Sequence, residues 1–192
     1  MIDDNTIVIY SADNGQARPP HGIGSAYPLK GFKGVTWEGG LRVPTIIRWP
    51  SKIAAAQDNK EIMTAMDLLP TFAKLARAKM PTDRVIDGKD ITNCLTKGEK
   101  SPHEAFFYHR ISNLDAVRAG DWKLHFFPKN KIALYNLKDD IAETKNVANV
   151  HPDIVQKLKQ YADTFNKDIA KNSRKAAFVE NPISLRMKNN FD

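Results

Sequence analysis

The residues of this 192-residue chain whose types and spacing could do chemistry are Asp13, Asn14 and Lys33. Asp13-Asn14-Gly15 closes an apolar run, Thr6-Ile7-Val8-Ile9-Tyr10-Ser11-Ala12. A carboxylate and an amide carbonyl thus arrive just past a strand end, where open α/β sheets place ligand-binding groups. Both are hard oxygen donors, suited to Ca²⁺ or Mg²⁺ rather than a soft metal. The same triplet also serves as an ordinary turn that holds no cation. Lys33 stands between Gly31 and Gly34 in the stretch from Leu29 to Pro44. The glycines remove bulk around a compact point charge, which could neutralise a tetrahedral oxyanion or a leaving oxygen. A lysine in such a loop can equally stand in solvent with no ligand. Read together, the two segments form half of an active site in which a cation and a lysine act on one anion.

The elements that must carry these residues follow from pattern. The β-branched run Ile7–Ala12 predicts a strand covered on both faces. Residues 15–40 hold seven of the ten glycines and three prolines and read as shaped loops. Val43–Trp49 predicts a second strand, with Pro44 near its start, where a missing N–H is tolerable. Glu38-Gly39-Gly40 reads as a structural turn, with Arg42 pairing to Glu38 or another carboxylate. Asp67 is placed to N-cap a helix running to about Arg77, with Pro70 in its first turn. Leu68, Leu69, Phe72, Leu75 and Ala76 make its apolar face. From Asp87 to Ser101 the texture is polar turns. Short strands are expected at Ala105–His109, Asp115–Arg118, Trp122–Phe127 and Ile132–Asn136, with a tight hairpin at Gly120-Asp121. A last helix starts near Pro152 and carries Ile154, Leu158, Tyr161, Phe165 and Ile169. The expected organisation is a part of an α/β domain over 1–95, a small antiparallel sheet plus helix over 96–170, and a basic tail over 171–192.

Composition narrows the class. The chain is 42% hydrophobic and 27% charged, enough for a core and too polar for a membrane protein. No apolar run approaches the roughly 20 residues of a bilayer span, so no membrane span is expected. The N-terminus lacks a basic region followed by an apolar one and does not read as a signal peptide. Cys94 is the only cysteine, which excludes an internal disulfide and a thiolate cluster, and it reads as an inert, partly buried thiol. The net charge of +7 favours anionic partners. Lys171, Arg174, Lys175, Arg186 and Lys188 face only Glu180 and read as a solvated tail rather than a nucleic-acid arm.

Several segments together resemble one known family. The strand ending in Asp-Asn-Gly, then Leu29-Lys-Gly-Phe-Lys-Gly-Val-Thr-Trp-Glu-Gly-Gly-Leu-Arg-Val-Pro44 and a strand ending Arg48-Trp49-Pro50, resembles the C-terminal half of the type I (formylglycine-dependent) sulfatases, the arylsulfatase family. Met66-Asp-Leu-Leu-Pro-Thr71, Ile86-Asp-Gly-Lys-Asp-Ile91, Ala116–Leu124, Leu134–Asp140 and Glu143–Ala148 resemble its later elements. The resemblance runs from about residue 4 to residue 165. It implies an alkaline-phosphatase-like α/β fold: the end of a large mixed sheet, followed by a small antiparallel sheet with a packed C-terminal helix.

By that resemblance Asp13 and Asn14 are two ligands of a single divalent cation, usually Ca²⁺ with Mg²⁺ possible, and Lys33 contacts the sulfate group and acts in catalysis. His21, in the loop before Lys33, is a further candidate for substrate binding, although a plain loop histidine fits as well. Arg18 is placed to meet an anionic sugar. The implied substrate is a sulfated small molecule or glycan. In the family a formylglycine made from Cys/Ser-x-Pro-x-Arg attacks sulfur, and that motif is absent here: Cys94 is followed by Leu95, Thr96, Lys97 and Gly98. The expected partner is therefore the N-terminal half of the fold, and the chain alone is expected to be inactive and to be poorly stable or to self-associate. A phosphonate or phosphodiester hydrolase of the same superfamily, or a non-catalytic polyanion-binding remnant, are the alternatives.

Overall fold

The computed structural model describes residues 3–18 and 24–173, so His21 and the basic tail beyond Ser173 lie outside the described residues. Strand β1 (Val8–Ser11) pairs antiparallel with β2 (Thr45–Arg48), setting Tyr10 opposite Ile46. Pro44 sits just before β2, outside the ladder that it could not join. Arg48 closes the far end by a two-pronged bond to Asp3, both arms at 3.0 Å. The expected double coverage of β1 is not found. Val8 is 50%, Tyr10 70% and Ile46 67% exposed, because a two-stranded ribbon gives its side chains edge partners but no packed layer.

A single helical turn, α1 (Glu38–Leu41), replaces the expected Glu-Gly-Gly turn. A 3₁₀ turn at Ala65–Asp67 leads into α2 (Leu68–Leu75), which ends before Arg77, a residue held at φ 55°. Asp67 does not cap α2 with its side chain. Its carboxylate instead accepts the Thr64 amide at 2.7 Å and the Lys89 amide at 2.8 Å, and lies 2.7 Å from His103 Nε2. The predicted apolar face of α2 is also corrected, since Leu69, Phe72 and Leu75 are exposed. Helix α3 (Thr92–Lys97) falls where polar turns were expected. It buries Ile91 and Cys94 and ends at Gly98 in the left-handed conformation. Burial pushes the Cys94 thiol up, consistent with the inert role expected of it.

The second half is a four-stranded antiparallel meander, β3 (Phe106–Arg110), β4 (Asn113–Ala119), β5 (Trp122–Phe127) and β6 (Lys131–Asn136). Ala119 pairs with Trp122 across the two-residue loop Gly120-Asp121, as the sequence predicts. Helix α4 (Pro152–Asn172) lies on one face, packing Val155, Leu158 and Ala162 on Val117, Leu124 and Leu134. Phe165 stacks on Phe107 with ring centres 3.8 Å apart. The buried stripe is shifted from the expected one: Ile154 and Tyr161 are its margins, and Ile169 is exposed. Because strand side chains alternate, Lys123, His125 and Tyr135 point to the opposite face, toward Trp37 and α1. Among the described residues no helix is long and apolar enough to cross a membrane.

The exposed pair Tyr10 and Ile46 gives the β1–β2 ribbon an apolar surface on which self-association is expected. Sedimentation velocity at rising concentration is expected to show species heavier than the 21.6 kDa monomer. Combining Tyr10→Lys with Ile46→Glu should return the monomer. A wild-type chain that stays monomeric throughout would contradict this.

Candidate active site

The site is assembled from the turn after β1 and the loop between Leu29 and Arg42. The Gly15 amide donates to Gly40 O at 3.0 Å, and the Lys33 amide donates to Gln16 O at 2.8 Å. Those two bonds fasten the Asp13-Asn14 turn against the lysine loop. No other residue fits at position 15, since a Cβ there would lie 2.0 Å from the Gly39 carbonyl oxygen. Gly31 and Gly34 turn the chain on both sides of Lys33 with φ angles of 90° and 91°, and at Gly31 a Cβ would also lie 2.8 Å from Trp37 Cβ.

Asp13 and the Lys33 side chain are exposed, and Asn14 is half-buried. Asn14 and Gly15 line a pocket of about 360 Å³, with Leu29, Arg42 and Pro44 among its other walls. The Arg18 guanidinium lies over the Phe32 ring, 5.5 Å from its centre, which puts a second cation beside the lysine loop. Asp13 and Asn14 offer the hard oxygens a Ca²⁺ takes, so the donor chemistry fits such an ion. They are two of the about six to eight donors it needs. Among the described residues no group of three or more His, Cys, Asp or Glu side chains gathers to hold a metal.

Beneath the lysine loop lies a charged cluster that sequence reasoning missed. Lys123 Nζ, with no solvent exposure, donates to Glu38 Oε1 at 2.8 Å and lies 3.1 Å from Glu143 Oε1. The Tyr108 hydroxyl also donates to Glu38 Oε1, at 3.0 Å. Arg42 and Arg118 approach the other oxygen of Glu38 at 3.4 and 3.5 Å, so the expected Arg42–Glu38 pair is present. Glu143 Oε2 accepts the Glu38 amide at 2.8 Å, and His125 Nε2 lies 2.8 Å from Glu143 Oε1. Lys30 donates to the Glu143 carbonyl at 3.1 Å while its ammonium lies 3.8 Å from the Trp37 ring centre. Trp37 in turn stacks on His125, centres 4.2 Å apart.

The electrostatics follow from those contacts. Burial alone would raise the Glu38 carboxyl, but Lys123, Arg118 and Arg42 hold it below the ordinary range. Burial, reinforced by the Glu38 charge, pushes the Tyr108 hydroxyl well up, so it stays a neutral donor. Burial also lowers His125, and the Lys123 ammonium adds to that, outweighing the pull of Glu143. Beyond the expected Arg42–Glu38 pair, the sequence signal for this cluster is the strand Trp122-Lys-Leu-His-Phe-Phe127, in which Lys123 and His125 share one face.

The sequence model of the sulfatase family matches residues 1–78. The chain is 44% identical over 127 residues to an arylsulfatase of Hemicentrotus pulcherrimus, covering 65% of this chain and 23% of that protein. Among solved structures, it superposes on the PsFucS1 sulfatase from Pseudoalteromonas sp. with a TM-score of 0.81 at 25% identity, covering 90% of this chain and 39% of that one. It matches Ps i-CgsB in complex with k-i-k-neocarrahexaose with a TM-score of 0.74 at 31% identity, covering 85% of this chain and 37% of that one. The chain therefore spans about a quarter of the length of the first of these relatives and under half of the two solved chains.

The depressed His125 gives a signed pH dependence. Folded, His125 takes up its proton only below its ordinary 6.5, whereas unfolded chains take it up near 6.5, so stability falls as pH drops below about 6.5. The lowered Glu38 adds a second loss only below its ordinary 4.5, as its carboxylate protonates. Urea unfolding between pH 5 and 7 is expected to show this decline in wild type and a flatter profile in His125→Gln. An identical slope in both would exclude His125 as its source.

Proposed function

Because the chain belongs to the sulfatase family, we propose that it supplies the cation-facing and sulfate-facing elements of a sulfuric ester hydrolase. Asp13 and Asn14 are two oxygen ligands of a Ca²⁺, with Mg²⁺ as the alternative ion, and Lys33 contacts the sulfate. The observation that carries this reading is the pair of backbone bonds, Gly15 to Gly40 and Lys33 to Gln16, which joins the two segments. When bound, the cation acts as a Lewis acid that draws charge from the sulfate oxygens. The Lys33 ammonium supplies fixed positive charge to the same group, and the glycines on either side set the course of its loop before substrate arrives. The cation-facing end is a carboxylate and an amide oxygen on consecutive residues. The remaining ligands come from residues beyond this pair.

The proposed substrate class is a sulfated glycan or small molecule. The carbohydrate held by one of the similar solved proteins favours the glycan. The nucleophile is the part these 192 residues lack, since no Cys/Ser-x-Pro-x-Arg occurs among them. It is supplied by the N-terminal half of the fold, which is the proposed partner.

The purified chain is accordingly expected to show no turnover of a chromogenic aryl sulfate. Measurable hydrolysis above a Lys33→Ala control would overturn the assignment of the nucleophile to another segment. Calcium binding followed by calorimetry is expected to be weak, with a Kd of about 1 mM or higher, as suits an incomplete oxygen shell. Asp13→Ala should remove it. Calcium binding that persists undiminished in Asp13→Ala would refute the ligand assignment.

A further inference from the structure

The Glu38–Lys123–Glu143 cluster touches neither proposed ligand, and stability alone does not account for it. Apolar replacements of buried ion pairs are often neutral or stabilising. Its place in the fold points to a different role. Glu143 Oε2 fixes the first amide of α1, and the Glu38 side chain is held by Lys123 at the centre of the four-stranded sheet. The last turn of the same loop delivers the Gly40 carbonyl to Gly15, directly after Asn14. At the other end of the loop, Lys30 is pinned by the Glu143 carbonyl and the Trp37 ring, and the Lys30 carbonyl accepts the Gly39 amide at 2.7 Å. Lys33 thus sits at the top of an arch with two feet: Lys30 stands on the Glu143 carbonyl, and Trp37–Glu38 stands on His125, Lys123 and the Glu143 carboxylate.

We propose that Glu38, Lys123 and Glu143 are positioning residues that set Lys33 against the Asp13-Asn14 turn, making the small sheet part of the site's machinery. The proposal rests on the sulfatase reading of Lys33, Asp13 and Asn14. It assigns the cluster no contact with substrate. The charges are retained because carboxylates can grip backbone amides and an ammonium at once, which an apolar cluster cannot do.

Site-resolved amide exchange on the full chain tests it. In Glu38→Gln and Lys123→Met, the Gly15 and Lys33 amides should lose about tenfold more protection than Leu158 and Ala162 in α4, which report the global loss of stability. Equal loss of protection in all four would make the cluster a plain core element and overturn the proposal. So would unchanged protection at Gly15 and Lys33. Should either variant fail to fold, Glu143→Gln, which keeps the size and one acceptor oxygen, is read in the same way. Titration with inorganic sulfate separates this from the parent reading. A wild-type response at the Lys33 amide that vanishes in Lys33→Ala, weakens in Glu38→Gln and returns in Glu38→Asp supports both. A wild-type chain with no Lys33-dependent response removes the sulfate reading, and the exchange pattern still decides whether the cluster holds the arch.

Discussion

One ammonium group, Lys123 Nζ, buried between the carboxylates of Glu38 and Glu143, is the interaction on which the remaining geometry depends. Taking a lysine fully out of water is costly, and the cost is met only where geometry is good and every remaining hydrogen-bonding position is used. Here the ammonium has two carboxylate partners and also lies 4.1 Å from the centre of the Tyr108 ring. The carboxylates are satisfied in turn by Tyr108, Arg42, Arg118, His125 and the Glu38 amide. Loss of one member strands the others in a dry environment. Breaking a buried pair from one side costs about 3–5 kcal/mol, a large fraction of the stability of a domain this size.

The same ammonium fixes the sheet. With α4 on one face and the charged cluster on the other, β5 has a dry side carrying Leu124 and a polar side carrying Lys123 and His125. A register slip of one residue would drive Lys123 into Val155 and Leu158 and lift Leu124 into the carboxylates. Register is therefore specified from both faces at once. This is why a buried lysine in an inner strand is compatible with a well-ordered meander.

The sequence made the second half of the fold more legible than the first. Strand character and Gly120-Asp121 locate all four meander strands to within two residues at either end, and Pro152 marks the start of α4. Local signals suffice there because both neighbours of each inner strand lie close in the chain. For β1, an apolar run implied burial, yet Val8 and Tyr10 are exposed, since composition records what a strand can bury and not whether a layer is present. Asp67 stands at the N-cap position that the sequence assigns it, but its carboxylate bonds Thr64, Lys89 and His103 instead of the amides of α2, and the last two lie 22 and 36 residues away. In the candidate site, Asp13, Asn14 and Lys33 stand out in the sequence because their types announce chemistry, and the structure joins their two segments through backbone bonds. The cluster beneath them does not stand out, because Glu38 lies 85 residues from Lys123 and 105 from Glu143, the contacts that give it meaning. Lys123 alternates with apolar residues as any solvent-facing lysine on a sheet would.

The two ends of the site are held with unequal firmness, and the difference has a structural origin. The lysine end stands on the arch, with both feet on buried groups. The end proposed to hold the cation rides on β1, whose single strand partner leaves it largely in solvent. Besides the Lys33–Gln16 bond, Asp13 and Asn14 are tied down by the Gly15–Gly40 bond and the near-contact of Gly15 with Gly39, and Gly39 and Gly40 follow Glu38 in α1. A largely exposed strand therefore takes its position from a fully buried cluster through one turn of helix. On that account a single turn is all that α1 requires, since it converts the fixed place of the Glu38 carboxylate into a fixed place for the turn that presents the two oxygen donors.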